Sequence, residues 1–278
     1  MNKFIVALDG LNYSETAVQF ALDWTKQGNA FLSGIFLDDP TYTGFKIYDA
    51  IDDEGTSDQI LKSYRKSDSL KRMESAIDFS KKCQKSGLKH NIHHDRHIAV
   101  HDLVQESRFA DLLLISQDEK FSHHDQDFPS RFLREMMNDT ECPIALLPKT
   151  YRPIENIIFF YDGRFQSVYS MRLFAFLFPH WFSLPLKIMS VRSMEDNLHL
   201  PNNKLLKEWL NRHFKEIQYH VAKGIPEIEM LDFLKKQSSN SIIVMGARRR
   251  IMLSKWLRTG LLETIVHQFD FPVFIAHP

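Results

Sequence analysis

The sequence of 278 residues is poor in cysteine, carries no excess charge of either sign and has no long uninterrupted apolar run. Its two cysteines, Cys83 and Cys142, cannot build a disulfide framework and show no zinc-binding spacing, which suits a reducing compartment. Lys plus Arg and Asp plus Glu both number 35, so no global field draws the chain to nucleic acid, and none is expected as a partner. The longest apolar region, MRLFAFLFPHWFSLPLKIM (171–189), is broken by Pro179, His180 and Pro185 and makes a poor bilayer span. The opening MNKFIVALDG lacks the apolar core and small-residue cleavage site of a signal peptide. These absences lead to the expectation of a soluble, cytoplasmic protein that binds no membrane.

What is present is the balance of a globular protein, 44% apolar and 25% charged, with 22 Phe falling mostly in apolar runs that read as core. The chain also repeats itself. KFIVALDGLNYSETAVQFALDW (3–24) and ENIIFFYDGRFQSVYSMRLFAF (155–176) each read as an apolar strand, Asp-Gly, a polar turn, a serine and an amphipathic helix. Asp162-Gly163 follows Asp9-Gly10 at an offset of 153 residues. Further on, ADLLLISQDE (110–119) matches NSIIVMGARR (240–249), and CPIALLP (142–148) matches FPVFIAH (271–277). The second repeat is shorter in its middle, where the acidic, turn-rich stretch 38–57 of the first has no counterpart. Strands alternating with helices imply parallel sheets covered on both faces, and near-continuous apolar runs such as DLLLI and SIIVM fit strands buried on both sides. PKTYRPIE (148–155) reads as the linker, dividing the chain into domains 1–149 and 150–278.

In this order, twice over, these features resemble the universal stress protein family as a tandem of two domains. The resemblance covers nearly the whole chain. It implies two doubly wound α/β domains of the adenine nucleotide α-hydrolase type, each a five-stranded parallel sheet with helices on both faces. It also implies a stress-response protein, and with no catalytic set in the sequence a non-enzymatic one is expected. The alternatives are an ATP-binding or ATP-hydrolysing protein using the second domain and a purely structural partner-binding protein. Its partners would be a small-molecule nucleotide or another protein. Family members pair through the last strand, so a tandem chain is expected as a monomer with internal pseudo-twofold symmetry or as a homodimer.

The nucleotide-binding members carry Gly-x-x-Gly, nine residues, then Gly followed by Ser or Thr. Glycines let the backbone approach phosphate, and N–H groups at the next helix start donate to it. In the second repeat Gly246 matches the first glycine, Arg249 stands at the second, and Thr259-Gly260 at the closing pair. Asp162, Gly163 and Val191 would border the nucleoside at the carboxyl ends of their strands. Arg249 either fills the phosphate space, with Arg248 and Arg250 reinforcing it, or grips an anion with its guanidinium fork. A third reading is a solvated basic loop, the usual role of a charge run. Weak binding of ATP or another adenine nucleotide is thus confined to the second domain. In the first repeat Asp9 and Gly10 remain, but Ser116 and Glu119 replace the two glycines and Ser130-Arg131 the closing pair. A carboxylate at Glu119 would repel phosphate, so this site reads as vestigial.

Other groups carry blander readings beside sharper ones. Asp9 and Asp162 have no partner acid or oriented histidine in sequence, so turn formation competes with any catalytic role and no catalytic residue is assigned. His90, His93, His94, His97 and His101 invite a metal, with His123-His124 as further ligands, but lack a ligand spacing and are read as a strand edge and helix entry. The acidic clusters Asp38-Asp39 and Asp52-Asp53-Glu54 read as solvated loop. FLFPHWF (176–182) reads as core or as a contact between domains.

Overall fold

The computed structural model describes residues 1–37, 58–95, 99–119, 128–195, 197–247 and 259–278. These form two compact units, Met1–Cys142 and Pro143–Pro278.

The first unit contains β1 (Lys3–Asp9), α1 (Glu15–Gln27), β2 (Phe31–Leu37), α2 (Asp58–Lys85), β3 (His90–Asp95), α3 (Ala99–Ser107), β4 (Leu112–Ser116) and α4 (Arg131–Asp139). Its strands lie in the order β3-β2-β1-β4, all parallel. Residues 4–9 of β1 and 112–115 of β4 are buried throughout, as strands covered on both faces must be. In α1, Ser14 caps the start by accepting the Ala17 N–H at 3.2 Å. Ala17, Ala21 and Trp24 then turn inward at helical spacing. The long helix α2 is rich in charged residues and, among the described residues, buries a narrow stripe containing Ala76, Phe79 and Cys83. Gly34 in β2 makes room for that stripe, because a Cβ there would meet the Phe79 ring at 2.5 Å. Gly87, at φ +70°, ends the helix in the left-handed conformation that glycine adopts without strain.

The second unit contains β5 (Ile144–Leu147), β6 (Asn156–Phe160), α5 (Phe165–Leu177), β7 (Leu186–Arg192), α6 (Asn203–Leu210), β8 (Ile217–Lys223), α7 (Pro226–Leu234), β9 (Ser241–Gly246), α8 (Thr259–Gln268) and β10 (Val273–Ala276). A short 3-10 turn, Pro179–Trp181, follows α5. The strand order is β5-β10-β9-β6-β7-β8. It is parallel except that β10 pairs antiparallel with β5, with Phe274 opposite Ala145. Phe178 and Trp181 stack at 4.4 Å, and Phe174 meets Phe274 edge-on at 5.4 Å. The apolar stretch 171–189 therefore supplies core to this unit, although Phe176 stands 68% exposed.

Each repeat has the five strands expected of it, β1 to β5 and β6 to β10. By its contacts β5 belongs with the second unit. The reason is the antiparallel β5–β10 ladder: its hydrogen bonds join the two closing strands more closely than the linker 148–155 separates them. The helix expected over 254–268 is described only from Thr259, and the acidic loop 38–57 lies outside the described residues.

Candidate functional site

In each unit the strand order reverses beside the first strand of the repeat, between β1 and β4 and between β6 and β9. Open α/β sheets offer a crevice there, at the carboxyl ends of the strands. The two Asp-Gly turns stand at those ends.

In the second unit Asp162 follows β6. Its Oδ1 accepts the Arg164 N–H at 2.9 Å and the Ser167 hydroxyl at 2.7 Å. The Arg164 guanidinium lies 3.8 Å from Oδ2. The carboxylate is thus spent on holding the first turn of α5. The serines aligned at offset 153 do different work: Ser14 caps α1, whereas Ser167 sits inside α5 and donates to Asp162. Gly163 has φ +79°, and a Cβ there would collide with Pro201, whose Cγ would be 3.0 Å away. The Tyr161 hydroxyl, donating to the Pro201 carbonyl at 2.9 Å, ties the same segment down. Burial, the largest cause, raises the Tyr161 pKa, so the phenol stays a donor at neutral pH. Gly246 ends β9, and a Cβ there would strike the backbone of Gln166 and come within 2.8 Å of the Ser167 nitrogen. The next N–H, that of Ala247, already donates to Ala276 at 2.8 Å. Gly246 is therefore needed for the close seating of α5 on β9. Val191, near the end of β7, is half-buried and pairs with Ala222. Arg248, Arg249 and Arg250 lie outside the described residues. Thr259 and Gly260 open α8, and of their side chains nothing is described.

In the first unit Asp9 is buried, its carboxylate accepting the Leu11 N–H at 2.8 Å and the Asn12 amide at 3.1 Å. Helix α2 lies over the turn. The Ser75 hydroxyl donates to the Gly10 carbonyl at 2.8 Å, and a Cβ on Gly10 would meet Arg72 Cγ at 2.8 Å. Beyond β4, the Asp118 N–H points to the Ser116 hydroxyl at 3.3 Å and the Glu119 N–H to the Ser116 carbonyl at 3.1 Å. These backbone donors are turned into the loop's own closure. Glu119 is itself buried, and its carbonyl accepts the Ser130 hydroxyl at 2.8 Å while Ser130 Oγ caps α4 through the Leu133 N–H.

Sequence reasoning named the Asp-Gly turns but missed what covers them, Arg72 and Ser75 in one repeat and Pro201 with Tyr161 in the other. No local signal marks contacts made across tens of residues. The histidines are engaged one by one: His93 with Glu106 at 2.6 Å, His90 with Ser80 at 3.0 Å, His94 against the Phe36 ring and His101 3.6 Å from Asp102. His97, His123 and His124 lie outside the described residues. Among the described residues no group of three metal-ligating side chains comes together. Both cysteines are buried, and burial pushes each thiol up to about 12.

No family model matches the sequence, and no curated protein does. Solved structures do. A universal stress protein from Archaeoglobus fulgidus superposes with a TM-score of 0.71 at 15% identity, covering 99% of this chain and 96% of that one. The chain has the tandem universal stress protein fold. A second such structure, a universal stress protein assignment from Pseudomonas aeruginosa, aligns over 100% of this chain and 94% of that one, with a TM-score of 0.59 at 12% identity. The chain also matches the cytoplasmic domain of a prokaryotic cation chloride cotransporter, at a TM-score of 0.53 and 11% identity, over 99% of this chain and 94% of that one. One architecture thus serves unlike proteins, and function must be argued from the site. Among the described residues, no helix is long and apolar enough to cross a membrane.

Proposed function

We propose that the chain is a non-enzymatic regulatory protein of the universal stress type that works by binding a partner rather than by turning over a nucleotide. The first domain does not bind ATP, and the second binds a nucleotide or other anion weakly at most. One observation carries this reading: in both repeats the chain's own atoms stand against the glycine of the Asp-Gly turn, Arg72 on Gly10 and Pro201 on Gly163. Both aspartates are also committed to local hydrogen bonds. A ligand at either turn would have to displace the packed Arg72 or Pro201 side chain or leave a carboxylate without its donors, at a cost of about 1–3 kcal/mol for each hydrogen bond left unmade at a buried group such as Asp9.

Calorimetry of the full chain with ATP, AMP and cyclic nucleotides tests the reading. The expected result is no binding, or binding only at millimolar concentration and only through the second domain. Arg249→Gly distinguishes the roles of that side chain: a gain of affinity marks it as a plug, a loss as an anion grip. Micromolar binding of ATP by the unaltered chain, or turnover lost in Asp162→Asn, overturns the proposal.

A further inference from the structure

The second unit presents an open groove of about 560 Å³ between the outer face of α5 and the end of α6. Tyr169, Arg172 and Phe176 line it from α5, Phe182 from the turn that follows, and Trp209 and His213 from α6 and its end. Tyr169 to Phe176 is seven residues, about 10 Å of helix, long enough to seat two turns of a partner helix. Phe176 is 68% exposed, and Leu205 on α6 is 66% exposed. Exposed aromatic and aliphatic side chains gathered along a concave surface mark an interaction site more strongly than the same residues scattered singly.

The internal repeat supplies a control. Burial in α5 follows α1 at the same offset of 153: Ala17, Val18, Ala21 and Trp24 correspond to Ser170, Met171, Phe174 and Leu177, all buried. The outward positions do not follow. Thr16, Gln19, Asp23 and Lys26 of the first repeat become Tyr169, Arg172, Phe176 and Pro179 in the second. The first unit's corresponding groove, along α1 and α2, holds about 350 Å³ and includes Glu15, Gln19, Lys82 and Lys85. There Lys82 pairs with Glu15, tying the two helices together across it. The aromatic groove is therefore not an inherited property of the fold, since the same fold in the same chain builds a smaller, more polar one.

Its charge says what it fits. The lining holds one guanidinium and one imidazole and no carboxylate. The one carboxylate of α6, Glu208, is already paired with Arg212 at 2.9 Å, and Lys207 is turned to the Tyr219 ring, so Arg172 is the cation that faces an occupant of the groove. We infer that this groove docks an acidic amphipathic helix of a partner protein, its apolar anchors at i, i+3/i+4 and i+7 entering between Phe176 and Trp209 and its carboxylates meeting Arg172.

Selection of a helical peptide library on the full-length chain tests this, with counter-selection on Phe176→Asp, the residue the first repeat carries at that position. Phe176 is exposed, so the variant keeps the fold, as its circular dichroism melt would verify. The expected winners combine acidic residues with helically spaced apolar anchors. They quench Trp209 fluorescence, lose roughly tenfold or more in affinity on Phe176→Asp or Arg172→Glu, and bind more weakly as salt rises. Winners that are basic or unpatterned, or that bind Phe176→Asp as well as the unaltered chain, overturn the inference. So does a dimer in sedimentation equilibrium that Phe176→Asp dissociates, which would make a second copy the occupant.

Discussion

At the residue scale Gly246, the glycine expected to approach phosphate, serves the chain's own packing. Gly246 has no space for a Cβ because the backbone of Gln166 and Ser167 already occupies it, and backbone cannot swing aside as a flexible side chain can. Gly246→Ala should therefore cost about 1–3 kcal/mol or more, as overpacking does. Gly87→Ala meets nothing within 4 Å and carries only the strain of its φ of +70°, about 1–2 kcal/mol. Urea denaturation of the two variants should rank them in that order, and a harmless Gly246→Ala would mean that α5 is free to lift from β9. Asp270 is a second residue whose surroundings set its behaviour. Partial burial works against its charged form, but hydrogen bonds from Thr150 and Arg152, the latter at 2.7 Å, outweigh it and hold the carboxyl below its ordinary value. A depressed carboxyl contributes stability that is present above its unfolded-state pKa of about 3.9 and lost as pH falls through the folded value. Arg152→Ala should remove its share of that contribution at neutral pH and leave stability nearly unchanged once the carboxyl is protonated in both states. Denaturation midpoints across an acid series would check this.

At the scale of elements, helix ends and helix faces carry different information. Ser130 both caps α4 and clasps the turn at Glu119 from a buried position, whereas Ser14 caps α1 at a half-exposed one. Ser14→Ala should cost about 1 kcal/mol. Ser130→Ala should cost more, up to about 3 kcal/mol, because it also leaves a buried carbonyl without its donor. Equal losses in thermal melts would show that the clasp contributes nothing. Helix α2 illustrates how tertiary contact overrides pattern. Its sequence is charged along most of its length, yet it is held by Phe79 against Gly34, by Cys83, and by Lys82, which pairs with Asp78 and Glu15 and lies over the Tyr13 ring. The same helix brings Arg72 and Ser75 onto the Asp9-Gly10 turn.

At the scale of the whole molecule, both thiols belong to the first unit and both are buried at 4% exposure or less. They should resist a thiol reagent at pH 8 in the folded chain and react fully in denaturant, since burial holds each near a pKa of about 12 and blocks access. Labelling during a urea titration would then follow the unfolding of the first unit alone, and rapid labelling of native protein would contradict the buried placement. The repeat, the alternation of strands and helices, the Asp-Gly turns and the division into two halves were legible in the sequence because each depends on short-range periodicity. The register of β5 against β10, with Phe274 opposite Ala145, was not, because it is a contact between segments more than a hundred residues apart.

The same distinction separates what the two levels decided about the site. Sequence alone determined that this is a tandem α/β chain, since repeats and the alternation of strand and helix are local properties. Only the tertiary structure decided that Gly246 makes way for α5, that Arg72 and Pro201 cover the Asp-Gly turns, and that Phe176 faces outward while its neighbour Leu177 is core. Which side of a helix meets the sheet, and which distant segment closes over a turn, follow from packing of the folded chain and are written in no single stretch of it.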